Sequence, residues 1–264
     1  MSRIETEILR PGGSGVHGTM FIPVDTEPEV AALIIGGSGG NEPILIAEHL
    51  AHEGIPALSV AYFGHENLPP DLSEIDLNYF QTALALLAAR LGNRRVSVAV
   101  VGQSRGSEAA MLTALLFSDL IDAVVVAVPS NLALCGFPSG GPAWIHNGVA
   151  LPYSNEFGPE CANPEAVFAT ELVDAPILFA SAGVDEVWPS APMARAMAKR
   201  RRAHSKQGGD LLLEYPEATH SMGYLCPDLP AGLAHSDPPL TRAARADVWP
   251  RVVRFIQGVA ARGS

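Results

Sequence analysis

The run Val100-Val101-Gly102-Gln103-Ser104-Arg105-Gly106 restricts the fold of this chain more than any other feature. An apolar stretch of buried-strand type, 95–101, passes within one turn into a helical pattern at 104–117. A strand-to-helix corner that sharp strains the backbone of its central serine. It closes only if the flanking positions are small, which is what a G-x-S-x-G pattern supplies. The serine hydroxyl then stands at a helix N-terminus, where the aligned peptide dipoles favour negative charge. With 25 glycines in 264 residues the bare pattern says little, so its weight comes from the strand, turn and helix around it.

The neighbouring text repeats the alternation. Apolar, β-rich runs at 30–35, 56–62, 95–101, 123–128, 176–181 and 211–215 are separated by helical patterns at 43–53, 73–91, 104–117 and 191–202, and a last helix is expected at 241–257. Residues 4–23 read as two short strands joined by the turn Pro11-Gly12-Gly13-Ser14-Gly15. This order predicts an α/β protein with a mainly parallel central sheet and helices on both faces. The expected organisation is one domain over 1–264, with N-terminal strands in 1–29. The stretch 129–174 breaks the rhythm. It is rich in Gly, Pro and Asn, carries Phe137, Trp144, Tyr153, Phe157 and Phe168, and is expected to form a loop-rich, cap-like insertion over the carboxyl edge of the sheet.

Composition narrows the function. Hydrophobic residues make up 48% and the formal net charge is −11, which excludes a disordered chain and argues against nucleic acid as a partner. Cys135, Cys161 and Cys226 are scattered and lack the spacing of a disulfide scaffold or a metal site, so no metal and no cofactor is expected. There is no basic segment followed by an apolar run at the N-terminus and no run of membrane-spanning length, so the expected location is cytoplasmic, away from membranes.

A serine hydroxyl needs a base, and the base needs a carboxylate to orient it. Strand 176–181 leads directly to Asp185, and strand 211–215 leads to His220. Both fall just beyond a strand's carboxyl end, on the edge that carries Ser104, and in the order Ser, acid, His. The predicted triad is therefore Ser104, Asp185 and His220. Glu186 is the competing acid; His204, in a basic helix end, and His235, in a proline-rich loop, are the competing bases. The oxyanion donors are expected to be the backbone N–H of Arg105 and that of Ser38 or Gly39, in the glycine run 36–40. That run is not G-x-G-x-x-G, and no acidic residue ends the next strand, so a dinucleotide site is not expected. The basic run 199–202 reads as a solvated helix C-terminus or as a contact for carrier phosphates, and the Arg105 side chain as an anion contact.

These residues resemble a known family. The Gly-Gly-Ser-Gly-Gly loop at 36–40, Leu58-Ser-Val-Ala-Tyr-Phe63, Leu68-Pro69, Ile75-Asp-Leu-Asn-Tyr-Phe80, 102–106 with Ser107-Glu108, Pro129-Ser130, Trp144, 148–152, Asp185 with Trp188-Pro189-Ser190, and His220 occur in order. Together they are similar to the catalytic domain of acyl-CoA thioesterases and bile acid-CoA:amino acid N-acyltransferases, in the α/β-hydrolase superfamily. The chain departs from that pattern at Thr219 and Ser107, and with about thirty residues before the core the N-terminal immunoglobulin-like domain of the larger members is not expected. The resemblance implies cleavage of an acyl thioester, as acyl-CoA or a carrier-bound chain, through an acyl-enzyme, with an acyl carrier protein as a further partner. The family's acyltransferases use cysteine; Ser104 here favours hydrolysis. Transfer to an amine or alcohol, ester or lactone hydrolysis on the same triad, and a non-catalytic ligand-binding role are the alternatives.

Overall fold

A computed structural model describes residues 3–92, 96–156, 163–230 and 237–260. Its centre is an eight-stranded sheet in the order β1-β2-β4-β3-β6-β7-β10-β11. β1 (Ile4–Leu9) and β2 (His17–Pro23) are antiparallel, and β2 is antiparallel to β4 (Ala57–Ala61). All pairings from there on are parallel: β4 with β3 (Val30–Ile35), β3 with β6 (Ser97–Gln103), β6 with β7 (Ala123–Ala127), β7 with β10 (Ile177–Ala182) and β10 with β11 (Leu211–Tyr215). The mainly parallel sheet read from the sequence is what forms.

Strand side chains alternate between faces, and each face is covered. Leu33, Ile35, Val100 and Val126 join one buried cluster with Leu84 and Leu87 of α3 (Asn78–Arg90), Met111 of α4 (Arg105–Leu116) and Met197 of α5 (Ser190–Ala203). Their neighbours Ala32, Ile34, Val101 and Val125 join a second cluster with Leu50 of α2 (Ile44–His52) and with Val252 and Ile256 of α6 (Pro239–Ala260). This two-sided burial is why the strands read as continuous apolar runs rather than as alternating ones. No helix among the described residues is long and apolar enough to cross a membrane.

Two sequence expectations change. The turn at residues 11–15 contains a helical turn, α1 (Pro11–Ser14), which opens on a proline and is closed by Gly15 at φ 74°. The helix expected over 73–91 begins only at Asn78. Residues before it are taken by another partner: Ile75 and Leu77 donate their N–H to the carbonyls of Ala143 and Ile145, and β5 (Ile75–Asp76) pairs with β8 (Trp144–His146). β9 (Val149–Ala150) completes this small three-stranded sheet.

The aromatic residues of 129–174 divide between two roles. Trp144 and Phe168 are buried in the cluster under α3 and α4, where they patch the core. Phe137 is 57% exposed and lines the cavity described below. Phe157 lies outside the described residues, as do Cys161 and His235. Burial pushes the Cys226 thiol up to about 12, as expected of an inert interior cysteine.

Two arginines of the basic run on α5 are structural, while Lys199 and Arg202 are exposed at the helix end. Arg201 is fully buried, paired with Asp210, and donates to the carbonyls of Thr170, Val173, Ala175 and Lys206. Arg200 pairs with Glu171. The phosphate-contact reading of these two side chains is therefore corrected: they pin the end of the 129–174 segment to α5.

Candidate active site

The register of the parallel strands assembles the site. Ile35 lies opposite Gly102, so the loop after β3 runs beside the turn after β6; Ala182 lies opposite Tyr215, so the loops after β10 and β11 emerge together. Ser104, Asp185, His220 and the glycine loop thus meet at the carboxyl edge, the usual site of ligands in open α/β sheets.

Ser104 sits at the corner with φ 53° and ψ −125°, directly before α4. A non-glycine residue there holds roughly 1–3 kcal/mol of strain. It is fixed by its own N–H to the Ala127 carbonyl, 3.0 Å, and by its carbonyl, which accepts from Ser107 N. Both flanking glycines are required by contact. A Cβ on Gly106 would lie 2.3 Å from the Ile35 carbonyl oxygen, and one on Gly102 would lie 2.2 Å from the Gly106 oxygen. Gly106→Ala is accordingly expected to cost about 3 kcal/mol of stability by overpacking, read as a lowered denaturant midpoint with an unchanged slope; a wild-type midpoint would refute the contact argument.

The three predicted side chains are in hydrogen-bond contact. His220 Nε2 is 2.9 Å from Ser104 Oγ, and His220 Nδ1 is 2.8 Å from Asp185 Oδ1. The Asp185 carboxylate is 1% exposed and also accepts from the N–H groups of Val187 and Trp188. Burial alone would push this carboxyl up. The hydrogen bond and charge of His220, with further donors, outweigh it and hold the carboxyl below the usual range. Of the competing residues, Glu186 does not touch the imidazole; its carboxylate accepts the backbone N–H of His220 at 3.0 Å. His204 is exposed and bonded to the Arg200 carbonyl at the end of α5.

The glycine loop comes closest to the serine at Gly37, where a Cβ would be 3.1 Å from Ser104 Cβ and 3.5 Å from Oγ. The Tyr62 hydroxyl donates to the Gly36 carbonyl at 3.0 Å, and His65 Nε2–H donates to that of Gly40 at 3.1 Å. Burial pushes the Tyr62 phenol up, so it stays a donor. These two anchors were not read from the sequence, because residues 62 and 65 share no local pattern with the loop they hold.

Trp188 was seen only within the family resemblance. Its ring stands edge-on to His220, with centroids 5.0 Å apart, and its indole N–H donates to the Val128 carbonyl. Arg105 needs a correction. Its guanidinium is bound to Glu108 at 2.9 Å and donates to the carbonyls of Leu134 and Cys135, so it is buried and spent, not offered to an anion. Glu108 in turn accepts from the Leu134 N–H and the Trp144 indole.

Ser104 and His220 open onto a cavity of about 810 Å³, whose walls include Ser38, Gly39, Ile44, Leu45, Phe137 and Trp188. Its walls are mostly apolar with a few convergent polar groups, as in small-molecule sites.

Residues 150–259 match the family described as BAAT / Acyl-CoA thioester hydrolase C terminal, a span that contains Asp185 and His220. Relatives include acyl-coenzyme A amino acid N-acyltransferase 2 of Rattus norvegicus, 26% identical over 96% of this chain and 65% of its own length. Another is acyl-coenzyme A thioesterase 6 of Mus musculus, 27% identical over 92% of this chain and 62% of its own length. The chain thus spans less than two thirds of these relatives. Among solved structures, a putative dienelactone hydrolase from Klebsiella pneumoniae superposes with a TM-score of 0.63 at 16% identity, covering 97% of this chain and 99% of that one. A bacterial heroin esterase superposes at 0.58 and 17%, covering 96% and 84%. In sequence, then, this chain is similar to acyl-CoA thioesterases and acyl-CoA amino acid N-acyltransferases, and its fold is that of the solved hydrolases it superposes on.

Proposed function

We propose that this protein is a serine hydrolase that breaks acyl thioesters, and esters of similar shape, through a covalent acyl-enzyme. The observation that carries the reading is the continuous Ser104–His220–Asp185 hydrogen-bond chain at the mouth of an apolar cavity. Relatives named as acyl-CoA thioesterases support the thioester as the bond attacked. An acyl chain on a carrier protein presents the same bond and is the second substrate form of this reading.

Ser104 Oγ attacks the acyl carbonyl carbon while its proton passes to His220 Nε2. Asp185 holds Nδ1–H, fixes the tautomer and balances the imidazolium charge. The N–H groups of Arg105, at the start of α4, and of Ser38 or Gly39, beside Gly37, face the developing oxyanion. The carbon–sulfur bond then breaks, and the departing sulfur takes the proton from Nε2. Water enters, gives a proton to Nε2 and attacks the acyl carbon; the carboxylic acid leaves and Ser104 regains its proton. The cycle balances with water alone as second substrate.

The test is to mix the enzyme with short-chain acyl thioesters and 4-nitrophenyl esters and to follow free thiol, free acid and intact mass. The expected result is stoichiometric acyl adduct on Ser104, with acid as product even when glycine is added as amine acceptor. Turnover without a Ser104 adduct would overturn the mechanism; an N-acylglycine product would favour transfer.

A further inference from the structure

We infer that Tyr62 is a positioning residue for the reaction: its hydroxyl turns the glycine loop so that the N–H groups of Gly37 and Ser38 face the acyl oxygen. This rests on the hydrolase reading above and adds to it the group that aims the oxyanion donors. Four of the five residues at 36–40 are glycine. Closeness to the nucleophile requires this at Gly37, where a Cβ would stand 3.1 Å from Ser104 Cβ. Glycine also has the widest backbone freedom of any residue. Oxyanion donors are effective when they are oriented before the charge develops. A loop of this composition therefore needs a group from outside it to set its peptides.

Tyr62 supplies that group. It follows β4 directly and is 2% exposed. Its ring is packed against Phe63, Phe80 and Trp144, with centroids 5.1, 5.5 and 5.8 Å away. The ring is thereby held, and its one polar atom reaches from the core to the loop. The hydroxyl donates to the Gly36 carbonyl at 3.0 Å, and the Gly37 carbonyl oxygen stands 3.4 Å from the same group. Both peptides are trans, so each carbonyl and the N–H that follows it point in opposite directions. With the carbonyls of Gly36 and Gly37 held toward Tyr62, the N–H groups of Gly37 and Ser38 leave the far edges of their peptides. The cavity lies on that far side: Gly37, Ser38 and Ser104 line it, whereas Tyr62 does not. Of the two loop donors named above, Ser38 and Gly39, this polarity selects Ser38. At the other end of the loop, His65 Nε2–H holds the Gly40 carbonyl at 3.1 Å.

Tyr62→Phe isolates the hydroxyl, because the ring keeps its aromatic neighbours. Rates are referred to sites titrated to completion with a fluorophosphonate, so a misfolded fraction does not count. With 4-nitrophenyl hexanoate, kcat and kcat/KM are expected to fall together by about tenfold or more, against roughly 10²–10³ for outright removal of a donor. They fall together because acylation and deacylation both pass through an oxyanion. An alkyl trifluoromethyl ketone reads the same donors at equilibrium. Ser104 Oγ adds to its carbonyl carbon, the serine proton passes to His220 Nε2, and the carbonyl oxygen becomes the anion. Its Ki is expected to rise by the factor that kcat/KM loses, while the matching methyl ketone, which stays trigonal and uncharged, binds as before. Wild-type kcat and trifluoromethyl ketone affinity in Tyr62→Phe would overturn the inference and leave the hydrolase standing. An equal loss for the methyl ketone would overturn it too, by showing that the hydroxyl only shapes the cavity. Wild-type protein that neither cleaves the ester nor takes the label would remove the hydrolase reading and this inference with it.

Discussion

Ser104→Ala is expected to lower kcat roughly 10⁶-fold and to abolish the acyl and fluorophosphonate adducts, with little change in substrate affinity. The size follows from how the site is built. His220 has one acceptor direction for the hydroxyl proton and Asp185 serves no purpose without it, so removing the nucleophile disables all three groups at once. The residual rate over water comes from the cavity and the oxyanion donors. Alanine keeps the positive φ at the corner, so the fold and its melting temperature are expected to stay near wild type. A variant with more than a hundredth of wild-type turnover would exclude Ser104 as nucleophile.

Asp185→Asn is expected to cost roughly 10⁴-fold in kcat. The carboxylate accepts from His220 Nδ1 and from two backbone N–H groups. All three donors converge on Oδ1, so an amide with its oxygen in that place keeps the hydrogen bonds but brings no charge to balance the imidazolium that forms when Nε2 takes the serine proton. The same substitution has a signature in stability. The Asp185 carboxyl titrates below the usual range in the folded protein, so its contribution is complete above the unfolded value near pH 4 and is lost as pH falls through the folded value. In Asp185→Asn that part of the acid slope in melting temperature disappears. An unchanged acid slope together with wild-type turnover would show that Asp185 neither orients His220 nor ionises as described.

Much of this was legible in the sequence because local rules decide it. Strand 30–35 is apolar on both faces since helices cover both, and Gly102 and Gly106 are dictated by carbonyls within 2.4 Å of an added Cβ. Asp185 and His220 follow strands directly, so a reading of strand ends finds them. What escaped depends on distant partners. Ile75 and Leu77 carry a helical pattern, yet Ala143 and Ile145, some seventy residues on, claim their N–H groups. Arg105 looks available for an anion until Glu108, one helical turn later, and the carbonyls of residues 134 and 135 are seen to consume it. Arg201 reads as a solvated charge because its five acceptor residues come from two other stretches of chain, 170–175 and 206–210. Phe137 and Trp144 are equally aromatic in the text; only the small sheet of β5, β8 and β9 decides that one faces the cavity and the other the core.

The tether from Arg105 through Glu108 to Trp144 and Leu134 has a mechanical corollary. A flap hinged at either end of the 129–151 stretch could swing outward only by pulling Leu134, Cys135 and Trp144 off the Arg105–Glu108 pair of α4 and exposing an indole, at roughly 1.5–3 kcal/mol for each hydrogen bond lost to a charged group. That wall therefore behaves as masonry rather than as a door. Val187 and Tyr224, exposed on the same cavity, carry no such tether on their side chains among the described residues and can rotate about single bonds on the nanosecond scale.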